Sequence, residues 1–224
     1  MTLEPMPETV IRVEAVLFDM DGVLIDSTPA VARVWRDWAL EHGFDPAEVV
    51  ARAHGRPSLA TVREYLPGAD HAAVNREVER REMADVMDIR PLPGARDLLE
   101  ALPRDRWAIV TSCTAPLARV RIAAGGLPQP PQLVTADDVA RGKPAPDAFL
   151  MGAARLGASP AACLVIEDVP AGVRAGKAAG ARVLALTTTF PEADLHRAGA
   201  DWVAPNCASV RVRAAGLKLV LALM

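Results

Sequence analysis

Four carboxylates, one hydroxyl and one ammonium group follow short apolar segments of the sequence. They are Asp19, Asp21, Thr111, Lys143, Glu167 and Asp168. If those segments are parallel strands of one sheet, their carboxyl ends meet at one edge, where ligands bind in open α/β sheets. Carboxylates gathered in one place repel one another unless a cation lies among them. Because the ligands are all oxygen atoms, that cation is expected to be hard, with Mg²⁺ the first choice.

The same set of side chains is suited to phosphoryl chemistry. A metal ion, a lysine and a threonine hydroxyl can together bind a phosphate, and a free carboxylate can attack its phosphorus atom. Asp19 and Asp21 are two residues apart, so in an extended chain their side chains point to the same side. One of them could attack phosphorus while the other transfers the proton of the leaving group.

The segments that precede these residues predict a parallel sheet. Each is short, almost wholly apolar and followed by polar residues, a pattern typical of buried parallel strands. They comprise residues 13–18, Trp107–Val110, residues 132–134, residues 163–166 and Arg182–Leu186, with Trp202–Ala204 as a sixth candidate. Helical spacing between the segments predicts helices on both faces. The fold class is therefore α/β, a doubly wound, mostly parallel sheet whose first strand lies between the second and the fourth.

One long region of the chain lacks strand signals. Residues 29–89 contain helical patterns, and Pro, Gly and Ser cluster at both ends of the region. These patterns are an apolar face of Val31, Val34, Trp35 and Trp38, followed by segments 46–53, 59–66 and 72–87. We therefore predict an all-helical domain of residues 28–90, inserted into a core of residues 1–27 and 91–224. Residues 208–224 are predicted as one closing helix.

The composition limits the classes of function. The chain has 224 residues, of which 51% are hydrophobic and 24% charged, as in ordinary globular proteins. Its apolar stretches are too short or too interrupted to cross a bilayer, and residues 1–12 lack the apolar region of a secretory signal. A net charge of −3 offers no broad basic face, so nucleic acid is not an expected partner. Three widely spaced cysteines suit a reducing compartment, and we expect a cytoplasmic protein without a membrane partner. The sequence does not set the oligomeric state, and a monomer is compatible with it.

Four motifs, in order, resemble those of the haloacid dehalogenase superfamily. Residues 18–27 are similar to its first motif. The second, third and fourth motifs are matched by Thr111-Ser112, Lys143-Pro144 and Glu167-Asp168. The resemblance spans residues 13–203, and the helical insertion is similar to the α-helical cap of that superfamily. Within it, the chain most resembles the small sugar-phosphate and polyol-phosphate phosphatases, close to the β-phosphoglucomutase-like subgroup.

The resemblance implies a role for each matching residue. Asp19 would be the nucleophile that forms an aspartyl-phosphate. Asp21 would be the general acid for the leaving alcohol and then the general base for water. Thr111, Ser112 and Lys143 would bind the phosphoryl group. The implied activity is hydrolysis of a small phosphorylated metabolite, a reaction that depends mostly on positioning and electrostatics.

The resemblance also implies a magnesium site. Asp19, the backbone carbonyl of Asp21, and Asp168 would hold Mg²⁺, with Glu167 assisting. A structural alternative remains for one of the phosphate-binding residues, since Thr111 could simply cap its strand, and Ser112 could share that role.

A short turn inside the insertion is a candidate for substrate recognition. His54, Gly55 and Arg56 lie between two predicted helices, and related phosphatases carry a similar stretch. The functional interpretation is a specificity loop that faces the core, with Arg56 contacting the distal groups of the substrate. The structural interpretation is a helix-helix turn that uses Gly55 as its cap.

Two other functions remain open from the sequence. A phosphomutase of the β-phosphoglucomutase type resembles this chain in the same motifs, but such enzymes carry a histidine early in the first cap helix and residues 29–31 contain none. A receiver-like signalling module also uses Asp, Thr, Lys and Mg²⁺ on a doubly wound sheet. Such modules are shorter and lack an acid two residues after the phosphorylated aspartate. Asp21 and the helical insertion therefore favour a phosphatase.

Overall fold

The structure, a computed structural model, describes residues 9–53, 55–216 and 218–223. Within these ranges the strands are β1 (Thr9–Val13), β2 (Ala15–Phe18), β3 (Ile25–Asp26), β4 (Arg90–Pro91), β5 (Trp107–Val110), β6 (Leu133–Val134), β7 (Cys163–Glu167), β8 (Arg182–Leu186), β9 (Trp202–Ala204), β10 (Val210–Ala215) and β11 (Leu219–Leu223). The α-helices are α1 (Thr28–His42), α2 (Pro46–Ala53), α3 (Ser58–Tyr65), α4 (His71–Ala84), α5 (Ala95–Ala101), α6 (Ala115–Ala124), α7 (Asp147–Arg155), α8 (Pro170–Ala178) and α9 (Glu192–Arg197). No helix in these ranges has the length and apolar character needed to span a bilayer.

The main sheet brings the predicted functional strands side by side. Its order is β6-β5-β2-β7-β8-β9, and every neighbouring pair is parallel. The central position of β2 between β5 and β7 confirms the predicted strand order. Phe18 aligns with Ile109 of β5 and with Ile166 of β7. The residues that follow these three strands therefore leave the sheet at one edge, as a shared site requires.

The two faces of the sheet are both covered. Successive residues of a strand point to opposite faces, and all residues of β2 are buried. Phe18 and Ile109 pack in one apolar cluster with α5 and α6. Leu17 and Val110 pack in a second cluster with α7, α8 and α9. Helices on both faces confirm the predicted doubly wound α/β fold, and each large apolar side chain buried there contributes about 1.5–3 kcal/mol.

Helices α1 to α4 form the predicted insertion and pack around an apolar cluster of their own. Trp35 and Trp38 are buried in it with their rings edge-on at 5.3 Å. Val49 of α2, Val62 of α3 and Val78 of α4 pack against them. The two connections to the sheet pair with each other as β3 and β4. The helical content confirms the prediction from sequence, whereas the division into domains at residues 28 and 90 stays a prediction.

The carboxyl-terminal residues contradict the predicted closing helix. Strands β10 and β11 pair antiparallel, and β11 also pairs with β1 along Thr9–Val13. The missed signal is the alternation of valine and arginine over residues 210–213, which is typical of a strand with one buried face. The apolar run after residue 218 fits a helix or a strand equally well by pattern. Backbone pairing with β1, distant in sequence, decides between them.

The first predicted strand, residues 13–18, is divided between two sheets. Val13 ends β1 in the small antiparallel sheet, and Ala15 begins β2 in the main sheet. The N–H of Glu14 donates to the carbonyl of Ala162 at 2.7 Å at the junction. Both halves pack into buried apolar surroundings, so Glu14, the one charged residue of the segment, is the only sign of the break in the pattern of residue types.

Gly94, which precedes α5, stands where a side chain would collide with backbone. Its φ angle is 76°, and a Cβ atom there would lie 2.3 Å from the backbone nitrogen of Ala208. We expect Gly94→Ala to lower the free energy of unfolding by about 3 kcal/mol, because left-handed strain adds to overpacking. For a chain of this size that is a fall of roughly 6–12 °C in the melting temperature.

Gly43 is the matched control for this substitution. It has a φ angle of 75°, and no atom lies within 4 Å of the position of its Cβ. Gly43→Ala should therefore show only the left-handed strain of about 1–2 kcal/mol. Equal losses in thermal melts of the two variants would show that the collision beside Ala208 does not matter.

Candidate active site

Asp19 and Lys143 form a buried ion pair at the carboxyl edge of the main sheet. Asp19 follows β2, and its N–H donates to the carbonyl of Ile166 at 2.9 Å, which extends the pairing with β7. The Nζ atom of Lys143 lies 2.5 Å from Oδ1 of Asp19 and 2.7 Å from Oε1 of Glu167. The Lys143 side chain is only 6% exposed. One ammonium group therefore binds two carboxylates from neighbouring strands and offsets part of their charge.

Burial and mutual attraction together set the protonation states of Asp19 and Lys143. Burial raises the pKa of Asp19 to about 7, although Lys143 opposes the shift. Burial alone would lower the pKa of Lys143, but the charges of Asp19 and Glu167 outweigh it and raise that pKa above its usual value. The lysine is therefore a permanent cation at neutral pH.

Three acids at this edge lie close enough together to hold one metal ion. Asp19, Glu167 and Asp168 each offer a carboxylate oxygen within 4.8 Å of the others. Oδ1 of Asp168 is buried and has no hydrogen-bond partner among the described residues. Burial, followed by the charges of Glu167 and Asp19, raises the pKa of Asp168 well above its usual value. A hard cation would give that oxygen a partner and stabilise the ionised form, so the donor set fits one.

The loop after β2 passes close to the same carboxylate because it contains a glycine. Gly22 has a φ angle of 83°, and a Cβ atom there would lie 2.0 Å from Oδ2 of Asp168. The hydroxyl of Thr188 donates to the carbonyl of Gly22 at 2.5 Å and holds the loop from the side of β8. A side chain at residue 22 would displace Asp168, which explains a glycine directly after the two aspartates.

Thr111 and Ser112 follow β5 and line the cavity that also contains Asp19. Thr111 is buried, and its N–H donates to the carbonyl of Val134 at 2.9 Å. Its hydroxyl oxygen accepts from the N–H of Cys113 at 3.1 Å. The side chain thus contacts the backbone just after the strand, while among the described residues the hydroxyl hydrogen has no acceptor and could be donated to a ligand.

Asp21 lines the same cavity but has different partners from Asp19. Its Oδ1 atom accepts from the hydroxyl of Ser27 at 2.5 Å and from Nη1 of Arg121 at 3.1 Å. Its Oδ2 atom accepts from Sγ of Cys113 at 3.3 Å. The group of three clustered acids does not include this carboxylate. A metal contact through the backbone carbonyl of Asp21 stays a prediction.

Two buried charged residues next to Asp21 were missed from the sequence. Arg121 and Glu82 are 5% and 6% exposed, and Nη2 of Arg121 lies 3.4 Å from Oε2 of Glu82. Arg121 follows the buried Leu117 of α6 by four residues, and Glu82 follows the buried Val78 of α4 by four. Each charge therefore lies on an apolar helical face, and that mismatch is the signal that could have found them.

The predicted specificity turn lies at the edge of the cavity. His54 is outside the described residues. Gly55 faces Val169, whose Cγ1 atom would be 2.9 Å from a Cβ on that glycine. Arg56 lines the cavity, but its Nη1 atom donates to Oε2 of Glu64 at 2.8 Å. The structure thus brings the turn against the sheet edge, with Arg56 bound to an acid of α3.

Helix α4 supplies polar groups to the opposite wall of the cavity. Glu79 lines the cavity. Its Oε1 atom accepts from Nδ2 of Asn75 at 3.0 Å, and its Oε2 atom accepts from the hydroxyl of Thr114 at 3.3 Å. Ser58, which also lines the cavity, donates to Oδ1 of Asn75 at 2.7 Å. In the described part of the chain, no lysine or arginine forms an ion pair with Glu79. This wall can therefore accept hydrogen bonds from hydroxyl groups.

Comparisons with known proteins identify the family. A model of the haloacid dehalogenase-like hydrolase family matches residues 13–180. The chain is 47% identical to hexitol phosphatase A of Escherichia coli over 180 residues, which cover 78% of this chain and 83% of that protein. It is 36% identical to glycerol-1-phosphate phosphohydrolase 2 of Saccharomyces cerevisiae over 215 residues, 90% of this chain and 86% of that protein.

A solved structure agrees with these matches. The crystal structure of a hydrolase from Pseudomonas syringae superposes with a TM-score of 0.77 at 27% identity, covering 87% of this chain and 94% of that one. The family match includes the strands that carry Asp19 and Asp168 and the segment that carries Lys143. The chain belongs to the haloacid dehalogenase-like hydrolases.

Proposed function

We propose that this chain is a Mg²⁺-dependent phosphomonoesterase that hydrolyses small phosphorylated polyols or sugars. The observation that carries the proposal is the cluster of Asp19, Lys143, Glu167 and Asp168 at the sheet edge, below a cavity whose opposite wall is helical. The relatives from Escherichia coli and Saccharomyces cerevisiae are named for phosphatase activity on a hexitol phosphate and on glycerol 1-phosphate. Those names support the same substrate class for this chain.

Asp19 is the proposed nucleophile. One of its carboxylate oxygens attacks phosphorus, and a new P–O bond forms as the bond from phosphorus to the substrate alcohol breaks. Lys143, Thr111 and Ser112 are proposed to bind the phosphoryl oxygens. The position of the Lys143 ammonium between Asp19 and Glu167 supports this role, because it already lies at the atom that would attack.

Asp21 is the proposed general acid and base. It donates a proton to the departing alcohol oxygen, then takes one from the water that attacks phosphorus. The bond between phosphorus and Asp19 breaks, inorganic phosphate leaves, and both aspartates return to their starting states. Two observations support a separate role for Asp21: it lines the cavity of Asp19, and it lies outside the group of clustered acids.

Mg²⁺ is the proposed cofactor. The residues proposed to hold it are Asp19, the backbone carbonyl of Asp21, Asp168 and, in an assisting role, Glu167. When bound it would neutralise the charge that the phosphoryl oxygens develop. The buried Oδ1 atom of Asp168, which lacks a protein partner among the described residues, supports this assignment.

The helical insertion is the proposed cap domain, residues 28–90, and determines which substrate is accepted. The phosphoryl group is common to all phosphomonoesters, so discrimination depends on the wall that contacts the rest of the molecule. Glu79 would accept hydrogen bonds from hydroxyl groups and would repel a second phosphate, because it has no cationic partner in the described part of the chain. A small molecule with one phosphate and a neutral, hydroxylated tail therefore fits best. In the turn of His54, Gly55 and Arg56, the guanidinium of Arg56 is the proposed contact to the distal end.

The alternatives are weaker than the phosphatase. The family assignment rules out a receiver-like signalling module. Transfer to a second substrate hydroxyl, as in a phosphomutase, is disfavoured because the named relatives reported above are a phosphatase and a phosphohydrolase. A cytoplasmic location stays a prediction, with the three cysteines free and buried as a reducing compartment would allow.

Phosphate release from a panel of metabolites tests the proposed activity. With Mg²⁺ present, we expect faster release from hexitol and glycerol monophosphates than from sugar bisphosphates or nucleotides. Asp19→Asn keeps the size of the side chain but removes the nucleophilic charge, so kcat should fall by at least roughly a thousandfold. Asp37→Asn, at an exposed aspartate of α1, is the matched control. Near-normal turnover by Asp19→Asn would falsify the covalent mechanism.

Removal and replacement of the metal test the proposed cofactor. We expect a chelator to abolish activity and Mg²⁺ to restore it, because Lys143 offsets only part of the repulsion among Asp19, Glu167 and Asp168. Ca²⁺ should bind yet inhibit, because its larger and looser coordination shell misplaces the reacting groups. Full activity after exhaustive chelation would rule out the metal-dependent mechanism.

Substitution of Arg56 tests the specificity turn. We expect Arg56→Ala to lower kcat/KM for the preferred polyol phosphate. The loss of charge-assisted contacts should correspond to about 1–3 kcal/mol of transition-state stabilisation. A small aryl phosphate, which leaves the distal end of the cavity empty, should change much less. Arg52 is the control, since it also lies near Glu64, at 3.8 Å, but does not line the cavity. If Arg52→Ala and Arg56→Ala behave alike with both substrates, Arg56 does not read the substrate.

A further inference from the structure

We propose that Arg121 is a positioning residue that acts through Asp21, and that Glu82 on the helical insertion holds Arg121 in place. This inference rests on the proposed function, because it assumes that Asp21 transfers the proton of the leaving group. It adds a residue pair that none of the four motifs contains. The pair connects the acid–base group at the sheet edge to helix α4.

The partners of Asp21 show how its side chain is fixed. Arg121 and Ser27 both donate to Oδ1, at 3.1 and 2.5 Å, and Cys113 lies 3.3 Å from Oδ2. Ser27 and Cys113 belong to short connections beside the sheet edge, whereas Arg121 projects from α6. Nη1 of Arg121 also lies 3.2 Å from Sγ of Cys113. Arg121 is the charged donor in this set, so it adds electrostatic attraction to the directional restraint that the shorter Ser27 bond supplies.

Arg121 is in turn fixed from the insertion. Its Nη2 atom lies 3.4 Å from Oε2 of Glu82, and both side chains are almost fully buried. A buried guanidinium is costly unless it is paired. Arg121 is paired with Asp21 at the sheet edge and with Glu82 on the helical insertion. The position of Asp21 is therefore coupled to the position of α4.

This arrangement bears on catalysis because a proton-transferring group must be placed within hydrogen-bond reach of the leaving oxygen. Without Arg121, the Asp21 side chain would lose its charged anchor and populate other rotamers. In one such rotamer the carboxylate would turn towards the ammonium of Lys143, which lines the same cavity. A smaller fraction of molecules would then have Asp21 in a competent position. The loss should appear only where the leaving group needs a proton.

The test compares two substrates with different leaving groups. Sorbitol 6-phosphate has an alcohol leaving group that needs a proton, and p-nitrophenyl phosphate has a leaving group that does not. We expect Arg121→Met to lower kcat for sorbitol 6-phosphate by roughly 10–100-fold and kcat for p-nitrophenyl phosphate by less than about threefold. Arg119→Met is the matched control, since Arg119 is an exposed arginine of the same helix. It should leave both rates unchanged.

Two results would overturn the proposal directly. Equal falls in kcat for both substrates would assign Arg121 to the fold or to the phosphoryl step. A rise in KM for sorbitol 6-phosphate with kcat unchanged would show that Arg121 binds the substrate itself.

A second pair of variants keeps the test valid if Arg121→Met does not fold. Arg121→Lys retains the charge, and Glu82→Gln retains the size of the acid. We expect each to lower kcat for sorbitol 6-phosphate by roughly 3–10-fold, with p-nitrophenyl phosphate little changed. No difference between the two substrates in either variant would also overturn the proposal. Thermal melts establish that the variants compared are folded.

A double-mutant cycle with Asp21→Asn separates this inference from the proposed function. If Arg121 acts through Asp21, Arg121→Met should cause no further loss of kcat for sorbitol 6-phosphate in the Asp21→Asn background. A full additional loss would overturn the positioning role. If Asp21→Asn itself affects both substrates equally, the acid–base assignment of Asp21 fails and the inference fails with it. If the fall in kcat differs between the two substrates for Asp21→Asn but not for Arg121→Met, the proposed function stands and the proposed role of Arg121 is wrong.

Discussion

The repulsion among carboxylates at one edge of the sheet is the constraint on which the rest of the structure depends. Parallel strands β2 and β7 end side by side, and their ends place Asp19, Glu167 and Asp168 within one small buried volume. Burial weakens solvation, so the repulsion is stronger there than it would be in water. Lys143 offsets part of it, and the orphaned oxygen of Asp168 marks where a further positive charge belongs.

Two buried cations bind different acids at the edge of the sheet. Lys143 binds the group that contains Asp19, and Arg121 binds Asp21. Asp19 and Asp21 are two residues apart in sequence, yet they have different partners because the chain turns directly after β2. The turn at Gly22 brings the loop against Asp168 and directs Asp21 towards α6. One short segment thereby supplies a candidate nucleophile and a candidate proton carrier in separate electrostatic surroundings.

The helical insertion adds what the sheet edge lacks. The sheet edge offers charged groups suited to a phosphoryl group, whereas α4 adds Glu79, whose hydrogen-bond donors Asn75 and Thr114 are neutral. Glu82, three residues later on the same helix, is bound instead to Arg121. The insertion therefore contacts both the space for the remainder of a substrate and the residue that fixes Asp21.

The sequence by itself determined the parallel sheet, its central strand, the helical insertion and the residues that end the strands. Apolar runs followed by acids are local patterns, and the rule that parallel strands share one edge converts them into a site. Tertiary structure decided what local patterns leave open. The closing segment became β10 and β11 because β1, from the other end of the chain, pairs with it. The pairing of Arg121 with Asp21 and Glu82 joins residues up to 100 positions apart, so no spacing in the sequence encodes it.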